Sequence, residues 1–207
     1  MTNKIIGIQG DKLDKINISS DTSIFLAHEA QKLGYKIFYY TPSNLSIIKN
    51  KTYANGVFVK FNYERKKFYK IYKKQKIDVE NLKFILIRQD PPFNSEYLIT
   101  TLILDGLKKV KVINNPTAIR NVSEKLYSKY FMKFMPNTLF SNNIEEVKKF
   151  YKQNKSIIMK PINGYGGNQI HLIKNKFNKK LITNFLRKNG HSMFQKFLKN
   201  ISRGDKR

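Results

Sequence analysis

The chain has 207 residues, with 40 lysines and arginines against 14 acidic residues, a net charge of +26, and no cysteine. That length allows one large or two small domains with real cores; the missing cysteines exclude a disulfide frame, a thiolate metal site and a cysteine nucleophile, and no stretch approaches the ~18 consecutive apolar residues of a membrane span. The charge invites a nucleic-acid reading. However, the lysines are spread along the whole chain beside Asn, Ile and Tyr, and no RNA-recognition, zinc-finger or basic-zipper motif occurs. They read as a solvated face, so a soluble cytoplasmic protein with no specific nucleic-acid or membrane partner is expected.

The N-terminus leads directly into a strand pattern rather than a signal peptide. Lys4 to Gln9 reads as a buried strand, followed by a polar loop from Gly10 to Ser20. Ser20 or Asp21 caps a helix to about Leu33, with Ile24, Phe25, Ala27 and Leu33 on its apolar side and Gly34 as its stop. Lys36 to Tyr40 is the next strand, which makes the opening of a βαβ unit. Residues 45–75 read as meandering short strands and turns, and the Lys/Tyr run from Arg65 to Lys76 as an exposed, poorly packed segment.

Phe84 to Ile87 is a strong buried strand, with Arg88-Gln89-Asp90-Pro91-Pro92-Phe93 at its C-terminal end, where open α/β sheets bind ligands. Pro91-Pro92 stiffens that loop, so Arg88 and Asp90 are held. The arginine suits a substrate carboxylate through two parallel hydrogen bonds; an Arg88–Asp90 pair that merely closes the loop is the alternative. Ser95 caps a helix to about Leu107, Val110 to Ile113 is a strand, and Asn114-Asn115-Pro116 breaks it. A domain boundary is expected near residue 120, after a short helical turn at 117–121. Beyond it, Ser123 caps a second helix from Glu124 to Tyr130, Thr138 to Phe140 is a strand, and Asn143 caps a helix over 144–154 with Val147, Phe150 and Tyr151 facing inward.

The stretch from Ser156 to Ile173 organises the second half. It reads as a β-branched strand ending at Lys160-Pro161, a glycine-rich turn with Gly164, Gly166 and Gly167, and a second apolar strand. A Walker loop or a dinucleotide fingerprint would open a helix after its glycines. Here the lysine precedes them and a strand follows, which fits a hairpin flap laid over phosphates. An ordinary hairpin with a flexible tip accounts for this stretch equally well. A helix from about Lys179 to Arg187 and a strand from Ser192 to Gln195, continued by Lys196-Phe197-Leu198, complete the pattern.

In this order the pieces resemble an ATP-grasp ligase, and within that superfamily the bacterial glutathione synthetases. The resemblance rests on Arg88 to Phe93, Asn115-Pro116 with Arg120 and Glu124-Lys125-Leu126, Lys160-Pro161 with Gly164-Tyr165-Gly166-Gly167, and Gln195-Lys196-Phe197-Leu198 with Gly204-Asp205-Lys206-Arg207. The loop Ile16-Asn17-Ile18 with Asp21 and Ser23 also looks like the family. The flap and its lysine are shared across the superfamily, whereas the Arg-x-Asp-Pro-Pro-Phe loop is far more specific. A mild departure is Asn163, where an acidic residue is common.

The resemblance implies an α/β fold. A Rossmann-like, parallel-sheet pre-ATP-grasp domain over 1–120 precedes the flap subdomain, the first α+β part of the ATP-grasp fold, over 121–198. Residues 199–207 would start a C-terminal lobe that this chain lacks, so the chain looks like an N-terminal fragment, inactive alone. It also implies ATP-dependent joining of γ-glutamylcysteine and glycine through an acyl phosphate, with Mg2+. ATP would meet Lys125, Lys160, Gly164, Tyr165, Gly166, Gly167, Gln195, Lys196, Phe197 and Leu198. The dipeptide would meet Asn17, Ser23, Arg88 and Asp90, and Arg207 would reach the transferring phosphate. The metal ligands would lie in the missing lobe. The full-length protein is open to homo-oligomerisation. Another carboxylate–amine ligase, of the D-alanine–D-alanine or glutamate type, is the nearest alternative, and a basic nucleic-acid binder the more distant one.

Overall fold

A computed structural model describes residues 4–65 and 67–204 of the chain. They form two compact units, one ending at Asn121 and the other starting at Val122.

The first unit is built on a mixed sheet. Strands β1 (Ile5–Gln9), β2 (Lys36–Tyr40), β6 (Phe84–Ile87) and β7 (Lys111–Ile113) form a parallel core. β3 (Leu45–Ile48), β4 (Lys51–Phe61) and β5 (Tyr69–Asp78) extend it as an antiparallel meander beyond β2. The side order is β3-β4-β2-β1-β6-β7, with β5 on the other edge of β4. Because side chains alternate along a strand, each parallel strand feeds two cores. Ile6, Ile8, Ile37 and Tyr39 pack with Ile24 and Ala27 of helix α1 (Thr22–Lys32) on one face. Phe38, Tyr40, Ile85 and Ile87 pack with Leu104 of helix α2 (Ser95–Asp105) on the other, where Ile119 of helix α3 (Pro116–Asn121) joins them.

Several expectations need correction. The Arg65–Lys76 run is exposed, but most of it is strand β5, paired to β4 from Asp78 to Tyr69 with a register shift opposite Phe58 and Val59. Phe25 and Leu33 lie on the exposed side of α1; the fully buried stripe is narrower, Ser23, Ile24 and Ala27, with Ala30 packed beside it. The cap of α2 is Asn94, whose side chain accepts from the Tyr97 N–H, one residue before the expected Ser95.

The second unit is a four-stranded antiparallel sheet of order β10-β9-β11-β8, made by β8 (Thr138–Ser141), β9 (Ile157–Pro161), β10 (His171–Ile173) and β11 (Ser192–Lys196). Helices α4 (Ile144–Asn154) and α5 (Lys179–Asn189) cover one face, burying Val147, Ile182, Phe185 and Leu186 against Ile157, Met159, Ile173 and Phe194. Asn143 caps α4 as expected. Residues 124–130 do not form an α-helix: a turn at 124–126 leads into 3-10 geometry over Tyr127–Phe134, with Phe131 outside helical dihedrals. With a C-terminal lobe missing, Met193, Phe194 and Phe197 would be expected to lack a covering layer; Phe197 is half-buried, and the other two are buried. Phe194 is fully buried in the core that α4 and α5 complete, and Met193 is buried on the opposite face of the sheet.

Candidate functional site

In the first unit the strand order decides where a ligand fits. β2 lies on one side of β1 and β6 on the other, so the chain departs in opposite directions at the C-terminal ends of β1 and β6, which is where open α/β sheets form a crevice. Gln9 to Asp11 and Arg88 to Asp90 meet there. The Arg88 N–H donates to the Gln9 carbonyl at 2.7 Å, the Asp90 N–H donates to Asp11 Oδ2 at 2.8 Å, and the buried side-chain amides of Gln9 and Gln89 bond to each other. Tyr39 closes the floor by donating its hydroxyl to the Asp11 carbonyl at 2.6 Å.

Arg88 is held from the N-terminus of α1. Its Nε–H donates to Ser23 Oγ at 2.9 Å and its Nη2 to Thr22 Oγ1 at 2.7 Å. Both partners are neutral, and the ion pairs among the described residues do not include Arg88 with Asp90, so the loop-closing alternative is not what holds the arginine. With the Nε side of the guanidinium occupied, its remaining N–H bonds are left for an anion. Asp90 takes protons more readily than an ordinary carboxylate, first because of partial burial and then because Asp11 and Asp21 stand near it, with Arg88 opposing. One arginine beside three aspartates suits a ligand carrying both a carboxylate and an ammonium group. Asn17 is exposed and its side-chain oxygen is engaged by the N–H and hydroxyl of Ser19, so it shapes the loop before α1.

In the second unit the sheet face opposite the helices carries the polar groups. Register places Phe140, Met193 and Lys160 in one row and Thr138, Gln195, Ile158 and Leu172 in the next. Lys160 Nζ donates to Gln195 Oε1 at 2.8 Å, and Gln195 Nε2 donates to Thr138 Oγ1 at 2.9 Å. Lys125 donates to the Gly164 carbonyl and so ties the flap loop from outside the sheet. Lys160 gives up its proton more readily than an ordinary lysine, through burial first and the Lys125 charge second. The carboxylate nearest Lys125 is Glu124, at 4.0 Å and itself mostly exposed. Two partly buried ammonium groups with so little counter-charge make a site short of an anion.

The loop between β9 and β10 holds the glycines. Gly166 and Gly167 have φ of +57° and +75°, which L side chains adopt only under strain, and Gly167 has open space around it. Gly164 has a different reason to be glycine: a Cβ there would collide with the Pro161 ring. Tyr165 lies partly exposed between them. At the end of β11 the Lys196 N–H is taken by the Asn137 carbonyl and the Phe197 N–H by the Ser156 carbonyl, so neither is free for a ligand; Leu198 is exposed. Arg207, Asp205 and Lys206 lie outside the described residues.

Both units find relatives. The model of the prokaryotic glutathione synthetase N-terminal domain matches residues 5–120, and that of the prokaryotic glutathione synthetase ATP-grasp domain matches 124–207. This chain belongs to the prokaryotic glutathione synthetase family. The glutathione synthetase of Buchnera aphidicola (Acyrthosiphon pisum) is 36% identical over 209 residues, covering 98% of this chain and 65% of the relative. That of Vibrio parahaemolyticus is 33% identical over 207 residues, covering 98% and 66%. The chain therefore spans about two thirds of the length of these relatives. Among solved structures, a RimK domain ATP-grasp protein from Sphaerobacter thermophilus superposes with a TM-score of 0.58 over 94% of this chain and 64% of its own, at 10% identity, a likeness of fold.

Asp11, Thr22 and Thr138 escape a sequence reading of this glutathione synthetase family member. Asp11 had a visible signal, since it falls with Asp14 and Asp21 in one loop of a chain poor in acids. Thr22 and Thr138 had none, because a surface threonine and a bridging threonine look alike before the sheet and helix are assembled.

Proposed function

We propose that this chain supplies the dipeptide-recognising unit and the flap side of the nucleotide site of a glutathione synthetase, which joins γ-glutamylcysteine to glycine at the expense of ATP. The observation that supports this reading best is the identity of about one third to glutathione synthetases through both units, with Arg88 standing at the crevice of the first sheet, Lys160 on the face of the second opposite its helices, and Lys125 bonded to the flap loop. In this reading Arg88 binds a carboxylate of the dipeptide end-on, while Asp90 and Asp11 face its ammonium group. Lys125 and Lys160 hold phosphate oxygens, and the backbone at Gly166 and Gly167 closes over them. Such positioning and charge neutralisation carry most of the work in this kind of chemistry.

ATP, when bound, supplies the phosphoryl group that turns a carboxylate into an acylating agent, and Mg2+ offsets its charge. Among the described residues no three His, Asp or Glu side chains gather to hold a metal, so no step is assigned to the metal on this chain. Arg207 is proposed to face the transferring phosphate. A cytoplasmic location is part of the same reading; among the described residues, no helix is long and apolar enough to cross a membrane.

The test is substrate-dependent ADP release by a protein of the relatives' full length. Turnover is expected only with γ-glutamylcysteine, glycine and ATP together. Equal turnover with D-alanine or with free glutamate as the acid component would overturn the assignment in favour of another ATP-grasp ligase.

A further inference from the structure

We propose that Thr138 is a positioning residue for Lys160, acting through the side-chain amide of Gln195. The inference rests on the proposed nucleotide reading for its ligand, but its geometry stands independently. Thr138 and Gln195 are directly paired across β8 and β11, and Lys160 on β9 lies diagonally next to Gln195 on the same sheet face.

Each hydrogen bond in this row has only one possible direction. Thr138 Oγ1 is 2.7 Å from the Pro136 carbonyl. A carbonyl only accepts, so the threonine proton is committed there and the hydroxyl offers Gln195 only a lone pair. The amide must then turn its NH2 toward Thr138, at 2.9 Å, and its oxygen toward Lys160, at 2.8 Å. The ammonium at the far end only donates, so both ends of the row demand the same orientation. Gln195 is buried; without the threonine acceptor its NH2 group would be left unpaired and only the lysine end would hold the amide in place.

The consequence falls on the lysine. Lys160 is opposed by burial and by Lys125, whose own nearby carboxylate is the exposed Glu124. The oriented Gln195 oxygen is the acceptor that keeps its ammonium charged and directed, while leaving two N–H bonds for an anion. Glutamine suits this position better than glutamate. A carboxylate would cancel the charge meant for phosphate and would place an oxygen against the threonine lone pair.

The experiment follows the Lys160 ammonium by NMR titration in the 207-residue chain, with nucleotide affinity measured separately by calorimetry on a protein of the relatives' full length. Thr138→Val keeps the shape and removes the acceptor. It should lower the Lys160 midpoint by about half to one pH unit, the equivalent of one hydrogen bond, and weaken nucleotide binding by about three- to tenfold. Thr138→Ser should restore both. An unchanged midpoint in Thr138→Val, or an equal fall in Thr138→Ser, overturns the proposal. Gln195→Leu cuts the row in its middle and must lower the same midpoint even if the valine variant fails to fold; no shift there also overturns it. If the unsubstituted full-length protein binds no nucleotide while Thr138→Val still moves Lys160, the phosphate reading fails and the positioning role stands.

Discussion

Arg88 offers the sharpest test of the first unit. Its guanidinium is held by two neutral hydroxyls, Ser23 at 2.9 Å and Thr22 at 2.7 Å, and its charge has no ion-pair partner among the described residues. On the proposed reading, Arg88→Ala in a protein of the relatives' full length removes a charge-assisted bond to the dipeptide carboxylate worth about 1.5–3 kcal/mol. This corresponds to a rise of about 10- to 150-fold in the KM for γ-glutamylcysteine. Thr22→Val with Ser23→Ala keeps the charge but releases the guanidinium, so the carboxylate bond survives without being pre-positioned, and the KM for γ-glutamylcysteine should rise by a smaller factor, roughly 5- to 30-fold, about 1–2 kcal/mol. The KM for ATP should change little in either protein. Steady-state kinetics with each substrate varied in turn separates the two effects. A dipeptide KM that does not move in Arg88→Ala removes the residue from the site, and equal rises for dipeptide and ATP would point to a damaged fold.

Lys160→Met should weaken nucleotide binding by about tenfold or more, whereas Lys179→Met, in the exposed first turn of α5, should leave it within about twofold; equal losses would mean that bulk charge attracts the nucleotide. Because the Lys160 pKa in the folded chain lies below the ordinary 10.5, the unfolded chain holds more protons between the two values. Stability from this group therefore rises as pH climbs toward 10.5. Urea midpoints between pH 7 and 9.5 should show that rise shrink in Lys160→Met, and an identical slope would count against the burial of this ammonium. Phe194→Ala, at a fully buried position of the second core, should cost about 3–5 kcal/mol, read from the unfolding midpoint; a loss below about 1 kcal/mol would mean that the second unit is not packed as described.

Much of the parallel core was legible because its strands are short β-branched runs and its crossovers are marked by Asp21, Gly34 and Pro116. The glycine flap was legible for the same local reason, since a lysine followed by glycines and then another strand permits few arrangements. What was not legible depended on contacts far apart in sequence. β5 looks like a surface lysine run because seven of its ten residues are exposed and only the pairing to β4 orders it. Residues 124–130 have helical composition, yet they turn at Lys125 to reach Gly164, 39 residues away, and the α-helix is lost. Gln195 reads as a ligand contact until β8 and β9 are placed beside it and claim both ends of its amide.

In a chain with 40 cations, charge alone marks no site, and burial with its partners sorts them better. Arg120 is largely buried and meets Asp105 at 2.6 Å, with Thr117 beside it. A buried cation with a carboxylate at hydrogen-bond distance already has its counter-charge, so this pair ties α3 to the end of α2, with Arg120 Nη1 left buried and unpaired. Lys125 is buried to a similar degree, but its carboxylate neighbour stands at 4.0 Å and in solvent. Lys160 has an uncharged amide for a partner and a like charge nearby. Holding two ammonium groups in this state costs stability that neutral side chains at the same positions would not cost. Such an arrangement makes physical sense where a polyanion completes it. The same criterion picks out Arg88, bonded to two hydroxyls, from the lysines around it. Among the described residues, Arg88, Lys125 and Lys160 thus combine partial burial with little or no counter-charge, Arg88 at the crevice of the first sheet and the two lysines beside the flap loop and β9 of the second.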